Sequence, residues 1–175
     1  MVLLSDSVRI GWCPGNAFPR LEAAPTSPGA GTVEDRFKCS GWLQLDMVSR
    51  ADDWFRQSLR DLEHAKVSVG SGHYEWACFA AQQAAEKAVK ALFQKLGVEV
   101  WGHSVSKMLE QLPEAHRPRE ELIDMAKSLD KGYISTRYPN THPEGSPMDF
   151  YTKEEAERMV LYAEQIIGFV RDKIV

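Results

Sequence analysis

The stretch that most constrains the fold runs from His73 to Leu96, HYEWACFAAQQAAEKAVKALFQKL. It contains neither Gly nor Pro and is dominated by Ala, Leu, Lys, Glu and Gln, the residues that lose least on entering a helix. Ala77, Ala81, Ala84, Ala88 and Leu92 recur at steps of three and four, so on a helix they form one stripe. Tyr74, Cys78, Ala85, Val89 and Leu96 widen it. Gln83, Lys87, Lys90 and Gln94 fall on the other side, and Glu86 precedes Lys90 by four residues, the favourable order for a helical ion pair. A helix apolar over more than half its circumference has to be surrounded, and its alanines let neighbouring backbones come close. The spacing predicts the central helix of a bundle, closed by Gly97, which can take the left-handed conformation common just past a helix end.

The flanking segments obey the same period. A helix is expected from about Arg50 to Val69, capped by Ser49 with Asp52 three residues on, its inner stripe being Ala51, Phe55, Ser58, Leu59, Leu62, Ala65 and Val69. Gly70-Ser71-Gly72 stops it, and so short a turn makes the central helix antiparallel to it. After the connection VEVWGHS, Ser104 begins a short helix through Leu112 that Pro113 ends. Pro118 opens the next helix, with Leu122, Met125, Ala126, Leu129 and Tyr133 inward, and Pro139 closes it. Tyr138 to Tyr151 reads as a proline-rich loop. Thr152 and Glu155 form a capping box for a last helix with Ala156, Met159, Val160, Ala163, Ile166, Ile167, Val170 and Ile174 inward. No strand pattern occurs between Met47 and Val175, so the expected fold is all-α: an up-and-down bundle of four long helices plus one short helix.

The first 46 residues are different in kind. They hold four of the nine prolines and five of the twelve glycines, and no helical period survives among them. Ala24 to Thr32, APTSPGAGT, is linker-like, and Trp12, Phe18, Phe37 and Trp42 are isolated aromatics. Residues 1–46 are therefore expected to be a disordered or poorly ordered extension, translated from upstream of a natural start at Met47, with the helical domain at 47–175. A chain of 175 residues is long enough for one real core. A net charge of −4 excludes an overall basic nucleic-acid surface and leaves only a local patch open. Cys13, Cys39 and Cys78 give no paired spacing for a disulfide framework or a metal knuckle, and Cys78 reads as a small buried hydrophobe. MVLL gives way at once to SDS, without a signal-peptide apolar region, and no apolar run is long enough to span a membrane, so the expected compartment is the cytoplasm.

Few constellations carry chemistry. A di-metal bundle site needs two Glu-x-x-His pairs, and only Asp61-x-x-His64 comes near, so no metal and no cofactor are expected. Cys78 and His73 are five apart and do not stack on a helix, which argues against a thiol nucleophile. His103 in WGHSV stands at a helix entrance, where its expected role is to orient the turn. The remaining cluster is Tyr133, Ser135, Thr136, Arg137, Tyr138, Asn140 and His142. Arg137 can grip a phosphate bidentately, and His142 can move a proton near neutral pH, which together suit a phosphodiester. The same residues also allow a plain structural role, with Arg137 capping the carbonyl end of its own helix and Tyr138-Pro139 packing the loop.

The order of these segments resembles the HEPN domain family (higher eukaryote and prokaryote nucleotide-binding). The resemblance is carried by WFRQSLRDLEHAK at Trp54–Lys66, HYEWACFAAQQAAEKAVKALF at His73–Phe93, WGHSV at Trp101–Val105, LDKGYISTRYPN at Leu129–Asn140 and FYTKEEAERMVLYAEQII at Phe150–Ile167. It covers Ser49 to the C-terminus and none of residues 1–46. It implies a helical bundle that pairs as a homodimer and works with a minimal nucleotidyltransferase partner, in toxin–antitoxin or related systems. It also implies two alternatives for the site. Some members are metal-independent endoribonuclease toxins that use an Arg, four to six residues, then a His; Arg137 and His142 fit that spacing as catalytic residues. Others, such as the sacsin-like subgroup, bind nucleotides or partners without catalysis, for which Arg137, Tyr138 and Asn140 would be the nucleotide contacts. Tyr138 stands where the catalytic pattern has a small polar residue, Pro139 follows it, and Glu144 stands where some toxins carry Tyr. These departures favour a nucleotide- or RNA-associated binding module over the nuclease, with a structural homodimerisation module as a third possibility.

Overall fold

A computed structural model describes residues 49–174. The extension expected at 1–46, and the start at Met47, lie outside the described residues. The described chain forms α1 (Ala51–Gly70), α2 (Tyr74–Lys95), α3 (Val105–Glu110), α4 (Glu120–Ser135) and α5 (Lys153–Ile174), with no strand among these residues. Single 3-10 turns occur at Glu114–His116, Pro139–Thr141 and Pro147–Asp149. No helix of the described residues is long and apolar enough to cross a membrane.

Helix α2 is the centre, packed by α1, α5, α4 and α3. Ala77, Ala81, Ala84, Ala88 and Leu92 have no exposed surface, and neither do Cys78, Ala85 and Val89. The expected stripe is the core. Both ends of the α1–α2 hairpin are closed by the same device. Gly72 (φ 79) donates to Val69 O at 3.2 Å while His73 donates to Ser68 O at 2.9 Å. Gly97 (φ 73) donates to Gln94 O at 3.1 Å while Val98 donates to Phe93 O at 2.9 Å. These paired bonds satisfy the last carbonyls of each helix and need a left-handed residue at the glycine.

Two helix starts differ from expectation. The residue capping α1 is Arg50, whose side chain makes no capping bond, so the Ser49–Asp52 box does not form. Ser49 Oγ lies 3.4 Å from Ala51 N and 3.4 Å from Gln94 O, tying the chain to the end of α2 instead. Arg50 pairs with Asp53 at 3.1 Å. Helix α4 starts at Glu120, not Pro118, because Arg117 before the proline and Arg119 after it are both extended. Its inner face is Ile123, Ala126, Leu129 and Gly132, turned slightly from the expected one, with Leu122, Met125 and Tyr133 at its margin. A Cβ at Gly132 would stand 3.5 Å from Thr136 Cγ2 and 3.9 Å from Cys78 O, so α4 approaches α2 closely here. In α5 the seven expected residues from Ala156 to Val170 are buried and Ile174 packs at the edge, while Thr152 Oγ1 accepts from Glu155 N at 3.2 Å.

A polar clip fixes α3 to α4. The Asp130 carboxylate accepts from Val105 N (2.7 Å), Ser106 N (3.1 Å), Ser104 Oγ (2.8 Å) and Ser106 Oγ (2.6 Å). It satisfies donors at the α3 N-terminus with a negative charge where the helix field favours one. It also sets the position of His103, which immediately precedes Ser104, relative to Tyr133, one helical turn beyond Asp130.

Candidate functional site

Arg137 follows α4 directly, and half of the sequence's ambiguity about it resolves in the geometry. Its Nε and Nη2 donate to Tyr133 O at 2.9 and 2.6 Å, so the guanidinium caps the carbonyl end of its own helix. Its Cζ also stands 4.4 Å from the ring centre of Phe79, 4.8 Å from that of Tyr133 and 5.2 Å from that of Tyr138. The cation is held by three aromatic rings as well as by a carbonyl. Nη1 makes no hydrogen bond to any described residue, which leaves one end of the fork for an anion.

His142 sits in a different environment. Its Nε2 is 2.8 Å from Ser135 O. A carbonyl only accepts, so Nε2 carries the hydrogen and Nδ1 is the nitrogen left for any proton transfer. The ring stacks on Phe150 at 4.2 Å and 8°, with Tyr151 edge-on at 6.4 Å. Ser135 Oγ donates to Lys131 O at 2.6 Å, so the Tyr151 hydroxyl, 2.6 Å away, donates to Ser135. Burial pushes the Tyr151 phenol above its ordinary range. No hydrogen bond joins His142 to Arg137, and the two rest on different aromatic groups. Between them, Tyr138 and Asn140 are exposed, and the Asn140 side chain bonds to none of the described residues. Tyr138 is extended, as the residue before a proline must be.

A network anchored on the buried Glu86 supports the Arg137 side. Tyr133 stacks on His103 at 4.5 Å and 16°. His103 Nδ1 lies 3.1 Å from Glu86 Oε1, which also accepts from Lys90 Nζ at 2.9 Å. Glu86 Oε2 accepts from Gln82 and Gln83 Nε2, both at 3.2 Å, and Gln82 Nε2 also reaches His103 O at 2.9 Å. Burial alone would raise the Glu86 carboxyl, but hydrogen bonds from Lys90 and Gln82 and the Lys90 charge outweigh it and hold it below the usual range. His103 thus orients its turn, as expected, and in doing so braces Tyr133. Sequence reasoning missed Phe79 and Phe150 at this site, because they belong neither to the apolar stripe nor to the Arg–His segment. The Glu86–Lys90 spacing and His103 in WGHSV were the signals for the network. Among the described residues, no three His, Cys, Asp or Glu side chains gather as metal ligands.

The HEPN domain model matches residues 51–173, and the chain belongs to the HEPN domain family. It is 29% identical over 134 residues to "Putative toxin MJ1304" of Methanocaldococcus jannaschii, covering 71% of this chain and 88% of that protein. Among solved structures it is similar to TT1696 from Thermus thermophilus, at 49% identity and a TM-score of 0.70, covering 71% of this chain and 98% of the other. It is also similar to ST0689, an archaeal HEPN homologue, at 40% identity and a TM-score of 0.63, covering 72% and 98%.

Proposed function

We propose that this HEPN domain is a nucleotide- or RNA-associated binding module of the sacsin-like kind, acting as a homodimer beside a minimal nucleotidyltransferase. The observation that carries this reading is the seat of Arg137. A guanidinium fixed by one carbonyl and three rings, with Nη1 free, is a pre-oriented phosphate donor. The exposed Tyr138 ring beside it gives a base a face to stack on, and Asn140 gives its edge a polar partner. His142 is spent differently. Its Nε2 hydrogen is committed to Ser135 O and its ring to Phe150, which turns it to structural use in holding the loop.

The second reading, a metal-independent endoribonuclease toxin using Arg137 and His142, is favoured by their spacing and by the similarity to a protein carrying a toxin name. In that mechanism Nδ1 would take the proton from a ribose 2′-hydroxyl while Arg137 stabilises the phosphate charge. One set of measurements separates the two. Purified protein is incubated with RNA in EDTA, and nucleotide binding is measured by calorimetry for wild type, Arg137→Ala and His142→Ala. The expected result is no cleavage, with binding weakened by about 1.5–3 kcal/mol in Arg137→Ala, as for a lost charge-assisted hydrogen bond, and little changed in His142→Ala. RNA cleavage by the wild type that disappears in His142→Ala would reverse the order.

A further inference from the structure

We infer that the groove between the start of α4 and the second half of α5 is the face on which a second copy of this chain docks, with the two α5 helices antiparallel. This rests on the pairing proposed above and names the surface that makes it. The groove holds about 700 Å³. Its apolar lining is Leu122 and Met125 from α4 and Leu161 and Phe169 from α5. Leu161 is 50% exposed, and the other three are half-buried. Leu122 and Met125 have the spacing of inward residues, yet the helices of their own chain leave them at the margin. A docked copy gives all four the cover that the described residues do not.

Gly168 is the observation that points to a helix as the occupant. Among the described residues, Gly132 and Gly168 are the glycines well inside a helix, where the missing side chain weakens it. Gly132 faces a neighbour: a Cβ there would stand 3.8 Å from Met159 Cε and 3.9 Å from Cys78 O. A Cβ at Gly168 would meet nothing within 4 Å, so this notch in the groove admits no described part of the chain. Leu161, Gln165 and Gly168 follow at steps of four and three, so they share one stripe of α5. A two-fold axis between Glu164 and Gln165 lays Leu161 of each copy on Gly168 of the other, one knob in one notch, made twice. The charges favour that direction. Glu154, Glu155 and Glu157 outnumber the cations at the start of α5, while Arg171 and Lys173 outnumber Asp172 at its end. Antiparallel pairing brings each basic end to the other copy's acidic end, and parallel pairing would set like on like. Helix α4 runs about 24 Å from this groove toward Arg137 at 1.5 Å per residue, so pairing here leaves both guanidinium seats open.

The test follows the oligomeric state of the full-length chain by analytical ultracentrifugation across the micromolar range. The wild type is expected to be a dimer. Gly168→Leu is expected to weaken pairing about tenfold or more. In dilute solution, where both are monomers, it should melt no lower than wild type, because the new side chain enters open space and a better helix former replaces glycine. Gln165→Cys, in a chain with Cys13 and Cys39 changed to Ser, is expected to oxidise to a covalent dimer, while the exposed Lys107→Cys on α3 in the same chain is not. A dimer that Gly168→Leu leaves intact, or that Gln165→Cys fails to cross-link, overturns this surface and leaves the pairing reading standing. If Gly168→Leu lowers the melting temperature of the monomer, the cross-link alone decides. A wild type that stays monomeric overturns both; if a chain beginning at Met47 then pairs, the preceding residues are the occupant of the groove instead.

Discussion

Glu86→Gln is the perturbation that most directly tests how the core supports the site. The Glu86 side chain is 5% exposed and that of Lys90 15%, so the pair is largely out of water. Losing one partner of a buried pair costs about 3–5 kcal/mol, mostly because the other charge is left uncompensated. Here the lower end applies. Lys90 has a long stem that can turn its ammonium toward solvent, Gln82 keeps the His103 carbonyl at 2.9 Å, and Gln83 keeps Gln82 Oε1 at 2.7 Å. The substitution should therefore cost about 3 kcal/mol, a fall of roughly 10 °C in Tm for a domain of this size. The effect carries a pH signature. Because the native carboxyl lies below its ordinary 4.5, its contribution is complete above that value and is lost as pH falls through the lower native one. The difference between wild type and variant, followed by urea unfolding, should be constant from about pH 7 to 5 and shrink below about 4.5. A variant melting within about 2 °C of wild type at pH 7, or a difference that ignores pH, would refute the reasoning.

Three further outcomes are expected. Asp130→Ala removes four hydrogen bonds to the start of α3 and should cost about 3 kcal/mol in urea unfolding, with wild-type stability for Asp130→Ala arguing that the clip is dispensable. Burial, reinforced by the charges of Glu155 and Glu75, pushes the Cys78 thiol up to about 12, so native protein at pH 8 should give the same count of reactive thiols as Cys78→Ala, and one more only after denaturation. A chain beginning at Met47 should unfold at nearly the full-length temperature by calorimetry, since the preceding residues carry chain breakers and no period; a large drop would mean that they pack on the bundle.

Most of the helical architecture was legible because burial follows a period that the side chains themselves display. The α2 alanines and the α5 stripe are the clearest cases: small and branched residues at steps of three and four end up without exposed surface. What periodicity reports is the apolar face, not what covers the opposite one. Glu86 lies beside the polar residues of α2, as expected, yet it is buried, because the His103 turn and Gln82 close over it. In α4 two adjacent apolar residues, Leu122 and Ile123, competed for the inward position, and Gly132 decided it by letting α4 approach the backbone of Cys78. The Arg–His spacing was plain, but both readings of Arg137 used the same residues. The bonds to Tyr133 O and the place of Arg137 over the ring of Phe79, a residue far off in sequence, were not legible from that spacing.

Tyr133 is where the fold and the site meet. Its carbonyl holds Arg137, its ring lies near Phe79, and that ring stacks on His103, which the buried Glu86 anchors. The cation is thus positioned by the same contacts that lock α2, the His103 turn and α4 together. A guanidinium bound to a helix-end carbonyl gains only about 0.3–1 kcal/mol from the helix field, which a phosphate can readily outbid. It need not do so here, because two donors serve the carbonyl and Nη1 remains. The arrangement therefore loses little on binding an anion: the side chain is already ordered and half-buried, and no native bond has to break. For a proton-transfer role His142 would have to give up Ser135 O or work through Nδ1 from its place on Phe150, whereas for binding Arg137 needs no rearrangement. That asymmetry is the physical reason to place binding ahead of catalysis in this HEPN domain.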